Sequence, residues 1–262
     1  MLTVTSAQLT TWLALFFFPF VRILAMVASS PILGNKQVPV RVKIGLSALL
    51  TFIIAPTLES SVNPASAQGL FVLLQQILIG LSMGFTLRLI FTSIEMAGDI
   101  IGMQMGLGFA IFYDPQNAAY TPIIAQFLGL LAALIFLSMN GHLYMLETLA
   151  QSFHAFPIGE TVPAASAFHT LVLWGGNIFA TALQLALPVI GVLLITNLAL
   201  GILTRSAPQL NLFAVGFPIT LAVGFVAIIL LLPYLTPLLE RSSTAGLDTV
   251  QRVLQQFAGR AP

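Results

Sequence analysis

Six long apolar runs, separated by short polar connections, dominate the pattern of the chain. An α-helix needs about 20 mostly apolar residues to cross a bilayer, and most of the runs reach that length. The pattern therefore predicts an all-α membrane protein. The runs cover residues 9–33, 44–58, 70–94, 122–149, 171–203 and 212–235.

Prolines interrupt the fifth and the sixth of these runs. Pro188 falls within the fifth run, and Pro218 and Pro233 fall within the sixth. A proline removes a backbone hydrogen bond, which a neighbouring helix or side chain must replace. We therefore expect bent helical hairpins that are broken or kinked at proline and glycine, and the run 44–58 is too short for a plain crossing.

Composition agrees with a membrane setting. Of the 262 residues, 58% are hydrophobic and 6% are charged, whereas about 25% of a soluble domain is charged. The nine Lys and Arg residues are scattered and the formal net charge is +1, which argues against a nucleic-acid surface. The chain has no Cys, which excludes disulfides and cysteine nucleophiles. Residues 1–30 lack a basic n-region and a clear cleavage motif, so we expect a retained first segment.

Charges in the connections give a second indication of topology. One connection holds Lys36, Arg41 and Lys43 and another holds Arg205, whereas residues 59–69 and 151–170 hold no Lys or Arg. By the positive-inside bias the first two connections are cytoplasmic and the other two are external. Six full crossings would then place the basic residues of the tail outside. Either the last run does not cross, or the chain departs from ordinary bilayer topology; the residues concerned are Arg241, Arg252 and Arg260.

The C-terminal tail, residues 237–262, carries a helical pattern of its own. Leu247, Val250, Leu254 and Phe257 recur at spacings of three and four, with polar residues between them. This spacing predicts an amphipathic helix that packs on its own protein or on the membrane surface, in preference to a partner-docking helix. We see no other boundary, so residues 1–262 are predicted to form a single membrane domain.

The stretch 95–117 differs from every other membrane-length segment. It holds three carboxylates, four glycines and three methionines. Lipid penalises both ionisable side chains and irregular backbone, so such a stretch is either buried in protein or lines a watery path. Glu95 and Asp99 share one helix face, where they either pair with a neighbouring helix or conduct protons or cations. The residues favour pairing, because no polar residues repeat through the other runs. A small-residue ridge for close helix packing is formed by Gly98, Gly102 and Gly106.

The segment from Gly106 to Tyr113 is apolar, aromatic and glycine-hinged, and Asp114 and Pro115 end it with a turn. Flexible methionines and glycine hinges can close a hole and deform around a passing chain. Two hypotheses stand equal here, a pore plug and the core of a buried loop. The candidate plug residues are Met103, Met105, Gly106, Leu107, Gly108, Phe109, Ile111, Phe112 and Tyr113.

A G-x-S-x-G pattern occurs at residues 80–84 and suggests a serine nucleophile, Ser82, with His142 as the base of an intramembrane protease. The pattern lies inside a helical apolar run, where Gly80 and Gly84 more simply allow close approach of another helix. The three histidines share no i, i+4 spacing and predict no metal site. No dinucleotide or P-loop motif is present.

Three ordered sets of residues resemble the FliR family of flagellar export proteins, from about residue 12 to residue 235. The string from Arg205 to Pro218 is the most specific of the three. The first set is Arg22, Pro31, Pro39, Arg41 and Gly45; the second is Glu95, Gly98, Gln104, Gly106, Asp114 and Pro115; the third is Arg205, Ala207, Pro208, Gln209, Asn211, Phe213, Gly216, Phe217 and Pro218.

This resemblance implies a one-copy component of the type III export gate. With several copies of FliP and FliQ it would form a closed helical ring in the bacterial inner membrane, at the flagellar basal body. Unfolded flagellar proteins would pass through that ring, and other membrane proteins of the export apparatus would be partners. Bent hairpins, largely lifted above the bilayer plane, would explain the topology conflict.

The resemblance also implies no enzymatic activity and no cofactor. A related injectisome gate and a small-solute or proton channel remain alternatives, and an intramembrane serine protease is the least favoured. Segment 106–113 would be the plug beneath the pore. Buried polar or assembly contacts would be made by Arg88, Glu95, Asp99, Gln104, Asp114, Arg205 and Asn211.

Overall fold

The computed structural model describes residues 6–58, 62–109, 122–159, 165–207 and 212–257. Within these ranges the chain forms α-helices, two short 3-10 turns and no strand, which confirms the all-α prediction. The α-helices are α1 (Ser6–Ser29), α2 (Val40–Ile54), α3 (Ala67–Gln104), α4 (Ile123–Ser138), α5 (Gly141–Ala155), α6 (Ala165–Ser206) and α7 (Leu212–Phe257); the 3-10 turns are Ala55–Thr57 and Leu107–Phe109.

In the described chain, five helical segments are long and apolar enough to cross a membrane, or six if the pair α4 and α5 counts as one span. Three helices are much longer than a crossing requires: α3, α6 and α7 contain 38, 42 and 46 residues. At about 1.5 Å per residue they measure about 57 to 69 Å, against a hydrocarbon core of about 30 Å. A large part of each would therefore lie outside the hydrocarbon.

Proline does not end the long helices. Helix α6 continues through Pro188, and α7 continues through Pro218, Pro233 and Pro237 to Phe257. The predicted interruptions are therefore absent as breaks, and kinking at these prolines stays a prediction. The amphipathic tail is the C-terminal part of α7 and not a separate helix.

The sharp break in the described chain comes at Asn140, between α4 and α5. The two helices are separate, although their residues form one apolar run in the sequence. Asn140 has φ 57°, in the left-handed region. Asparagine tolerates this conformation better than most L-residues, and Gly141 follows it.

The chain folds into two compact units, each built from segments that are distant in the sequence. Unit 1 contains Met1–Leu89, Asn140–Gly175 and Ser243–Pro262, and unit 2 contains Ile90–Met139 and Gly176–Ser242. The single membrane domain stays a prediction. Fully buried apolar residues of unit 1 include Phe18, Ile23, Met26, Ile79, Phe156 and Phe257, and those of unit 2 include Ile94, Ile101, Met105, Leu128, Val189 and Leu235.

In unit 1, α3 packs closely on α1 through the two glycines of the G-x-S-x-G pattern. A Cβ atom built on Gly80 would lie 2.8 Å from the Ala25 Cβ, and one on Gly84 would lie 2.6 Å from the Met26 carbonyl oxygen. Only a hydrogen fits at such distances. The expected role of these glycines in close helix approach is therefore confirmed.

The C-terminal part of α7 packs within unit 1 by the apolar face that its spacing predicted. Val250, Leu254 and Phe257 are buried, whereas most of the polar residues between them are exposed. The Phe257 ring lies 6.3 Å from the Phe156 ring and 5.4 Å from the Phe168 ring, centroid to centroid. The tail thus covers its own protein.

Candidate functional site

Helix α3 ends at the point where the candidate plug begins. Gly106 has φ 85°, which an L side chain rarely adopts, and its N–H donates to the Met103 carbonyl at 3.0 Å. A glycine in this conformation is the common way to end an α-helix. The chain leaves the helix here and forms the short turn Leu107–Phe109.

Met105, directly after the end of α3, is part of the core of unit 2. Its side chain is fully buried, and a Cβ atom built on Gly224 of α7 would lie 2.6 Å from its Cγ. The missing side chain at Gly224 thus leaves space for a flexible thioether. Met103, by contrast, is 54% exposed. The core hypothesis therefore fits Met105, and segment 106–113 begins directly after this buried side chain.

The remaining plug residues are described in part. Leu107 and Gly108 are half-buried, and a Cβ atom on Gly108 would meet nothing within 4 Å. Phe109 is the last residue of the 3-10 turn. Four predicted site residues of this stretch and one further on lie outside the described residues, namely Ile111, Phe112, Tyr113, Asp114 and Asn211.

The predicted polar contacts show a range of exposure in the single chain. Arg88, Glu95 and Arg205 are exposed, and Asp99 and Gln104 are half-buried. Arg88 and Glu95 are therefore not buried within the chain; they lie seven residues apart on α3, and both are exposed. Burial against another subunit stays a prediction.

Glu95 nevertheless lies against its own unit. A Cβ atom built on Gly129 of α4 would be 3.1 Å from the Glu95 Oε1. The absence of a side chain at Gly129 thus gives the carboxylate space on the α4 surface. Glu95 therefore lies at the contact between α3 and α4, and the rest of its side chain is exposed.

Gly98 brings α3 and α4 together in unit 2. A Cβ atom on Gly98 would lie 2.6 Å from the Ala125 Cα, whereas one on Gly102 would first meet Ile124 Cγ1 at 3.6 Å. The first distance is far below van der Waals contact with backbone, and the second is ordinary contact. The predicted small-residue ridge therefore depends on Gly98 most strongly.

We expect Gly98→Ala and Gly102→Ala to have opposite effects on stability. Gly98→Ala must push two helix backbones apart, at a cost of about 1–3 kcal/mol, whereas Gly102→Ala gains up to about 1 kcal/mol of helix propensity. Thermal unfolding of the purified protein in detergent measures both. Equal melting temperatures for the two variants would show that the α3–α4 contact is looser than described.

One buried charged residue is not among the site residues that the sequence predicted. Arg22 of α1 is fully buried in unit 1. Its Nε donates to the Gln76 Oε1 at 2.7 Å, its Nη1 to the Ser152 carbonyl at 2.9 Å and its Nη2 to the Phe156 carbonyl at 2.9 Å. Its guanidinium carbon lies 4.3 Å from the centre of the Phe153 ring. Arg22 thus joins α1, α3 and the end of α5.

The Arg22 contacts suit a guanidinium and the end of a helix. The Ser152 and Phe156 carbonyls lie at the C-terminal end of α5, where the helix dipole favours a cation. The Ser152 carbonyl also accepts from the Phe156 N–H at 3.0 Å. The planar fork of Arg can reach several acceptors in fixed directions, which the compact ammonium of Lys cannot. A lone arginine in an apolar run is the signal that could have identified this residue.

Ser82 does not have the surroundings of a nucleophile. Its hydroxyl donates to the Leu78 carbonyl at 2.7 Å, one turn back along α3, and the helix continues without a break. A serine nucleophile in a G-x-S-x-G pattern requires a sharp turn from strand to helix. The described geometry therefore gives the protease hypothesis no support.

Comparison with known proteins gives a consistent result over nearly the whole chain. The family described as "Bacterial export proteins, family 1" matches residues 13–245. A "Flagellar biosynthetic protein FliR" of Pectobacterium carotovorum is 45% identical over 259 residues, which cover 98% of this chain and 99% of that protein. A protein of the same name from Escherichia coli K12 is 46% identical over 241 residues, 92% of each chain. One from Bacillus subtilis is 30% identical over 243 residues, 91% of this chain and 94% of the relative.

Proposed function

The chain belongs to the FliR family of bacterial export proteins, and from this premise we propose that it acts as a subunit of the flagellar type III protein export gate. The observation that carries the proposal is the match to flagellar relatives over 98% of the chain, at 45% identity. The membrane-length helices give such a subunit its setting. Its place is the inner membrane, within the flagellar basal body.

Its partners are FliP and FliQ, which complete a ring with it, and other membrane proteins of the export apparatus. The exposure pattern of α2 supports an apolar environment around the subunit. Ser47 and Thr51 are the buried residues of α2, and their hydroxyls donate to carbonyls of the same helix. Its large apolar residues point outward, so lipid or another subunit must cover them; they include Val40, Val42, Ile44, Leu49, Phe52 and Ile53.

The gate closes by steric exclusion. Segment 106–113 blocks the lumen against ions at rest, because an apolar constriction excludes water. An exported chain, driven by an ATPase and the proton motive force elsewhere in the machine, displaces it. The geometry that supports this role is the contrast between Met105, fixed in the core of unit 2, and Gly106, where the helix ends. Unfolded flagellar proteins are the substrates.

A mass measurement of the gently solubilised complex tests the proposed function. We expect the tagged chain to be recovered in a large hetero-oligomer that contains other export proteins. Recovery of the chain by itself, with ion conductance when reconstituted alone, would favour the small-solute or proton channel. Peptide cleavage that is lost in Ser82→Ala would favour the protease.

Glu95→Ala should lower the recovery of the assembled complex more than it raises ion leak. If another subunit covers the exposed face of α3, removing the carboxylate strands a charged or polar partner, at a cost of about 3–5 kcal/mol. Quantification of co-purified subunits measures the loss. Glu147→Ala is the matched control, because Glu147 is exposed on α5 and its carboxylate accepts a hydrogen bond from Gln151 of the same helix. Full complex recovery together with an export defect would indicate a conductive role for Glu95.

A further inference from the structure

An open groove runs between α6 and α7 in unit 2. Its volume is about 630 Å³, within the range of about 300–1,000 Å³ that is usual for small-molecule sites. Most of its wall is aliphatic, and its polar side chains are few. Residues that define its two ends are Gln184, Tyr234 and Arg241 at one end and Val192, Ala227 and Leu230 at the other.

Gln184 and Tyr234 lie at one level of the groove because the helices are antiparallel neighbours. Helix α6 ends at Ser206 and α7 begins at Leu212, a short connection of the kind that joins antiparallel helices. Gln184 and Tyr234 are each 22 residues from those two ends, so they lie at the same level. Arg241 lies two turns beyond them. The groove therefore has a polar end and an apolar end.

The groove has the length of one membrane leaflet. From Ala227 to Arg241 the helix rises about 21 Å at 1.5 Å per residue, and half of a bilayer with its headgroups is also about 20 Å. Residues 213–239 carry no Asp, Glu, Lys or Arg, and Glu240 with Arg241 end this uncharged stretch. An exposed arginine at such a boundary is placed to meet lipid headgroups.

We propose that this groove binds one phospholipid, with an acyl chain along α6 and α7 and the phosphate at Arg241. The guanidinium fork matches phosphate oxygens, and the apolar wall matches the chain. An extended peptide segment is a poorer occupant, because its backbone N–H and C=O groups would need partners along the whole groove, and the polar residues stand at one end. This site goes beyond the proposed role in export.

Photolabelling of the full complex tests the proposal. The probe is phosphatidylglycerol that carries a diazirine near the end of one acyl chain. We expect label on Val192 or Leu230, and a loss of at least about tenfold in Arg241→Gln, the change that about 1.4 kcal/mol of binding produces. Arg252→Gln is the matched control, because Arg252 is also an exposed arginine of α7 but lies outside the groove.

A second variant fills the groove without touching the phosphate end. Ala227→Phe adds a ring at the apolar end, and we expect it to remove the label while the complex mass stays normal. Equal labelling of the wild type, Arg241→Gln and Ala227→Phe would identify unspecific boundary lipid and overturn the proposal.

Because the chain has no Cys, Leu230→Cys offers a single crosslinking site. A crosslink to another subunit would identify a protein occupant and also overturn it. A normal complex mass without lipid would defeat this proposal alone and leave the export role intact.

Discussion

Deletion of residues 106–112 is expected to raise the ion conductance of membranes that contain the complex by at least about tenfold, the factor that corresponds to a loss of about 1.4 kcal/mol of barrier. The segment begins after Met105, so the packing of this side chain against Gly224 is kept. Helix α3 ends at Gln104, before the deletion starts. Conductance across vesicles with the purified complex measures the effect, with subunit recovery measured in parallel.

A pair of glycine substitutions gives a finer test of the same segment. Gly106 has φ 85°, so Gly106→Ala forces a strained backbone where α3 ends. Gly108 has no positive φ and open space around it, so Gly108→Ala meets no obstacle. We expect Gly106→Ala to alter leak or export and Gly108→Ala to behave as wild type. Unchanged conductance in a deletion variant that still assembles would rule out a plug at 106–112.

The helices and their close contacts followed from local pattern. Apolar runs of membrane length gave the all-α fold, and the spacing of Gly80 and Gly84 gave the tight approach of α3 to α1. The same holds for the buried face of the tail, with Phe257 at its end. Each of these features depends on residues three or four apart, which one sequence displays directly.

Helix ends and breaks were less predictable, because local signals compete there. Pro188 and Pro233 indicate interruptions, yet α6 and α7 continue through them. Asn140 with Gly141 forms the break instead, inside a run that hydropathy alone treats as continuous. A proline costs a hydrogen bond that packing can offset, whereas a left-handed residue changes the direction of the chain.

The Arg22 cluster could not be derived from the sequence because its partners are distant along the chain. Gln76 is 54 residues away, and the carbonyls of Ser152 and Phe156 are 130 and 134 residues away. The two carbonyls belong to the backbone, so the residue types in the sequence do not identify them as acceptors. An arginine in an apolar run needs acceptors, and only the fold determines which acceptors it has.

The acceptors that bond Arg22 determine how strongly its replacement destabilises the protein. Replacing a whole buried ion pair by apolar groups can be neutral, because both polar partners leave together. Here Leu at position 22 would remove the donor and leave two buried acceptors without it, the Gln76 Oε1 and the Phe156 carbonyl. The Ser152 carbonyl still accepts from the Phe156 N–H at 3.0 Å. Each unsatisfied group costs about 1–3 kcal/mol, and this penalty exceeds the gain from burying a few more methylene groups.

Arg22→Leu should therefore destabilise unit 1 by about 3–5 kcal/mol and lower the melting temperature by at least about 6 °C, at about 2–4 °C per kcal/mol. Arg22→Lys should recover only part of the loss, because one ammonium cannot reach all three acceptors in the directions that the guanidinium fork uses. Arg41→Leu is the control, since Arg41 is an exposed arginine of α2. Thermal unfolding of the purified chain and the recovery of the assembled complex measure the loss. A melting temperature for Arg22→Leu equal to that of Arg41→Leu would mean that Gln76 and the Phe156 carbonyl need no donor from α1.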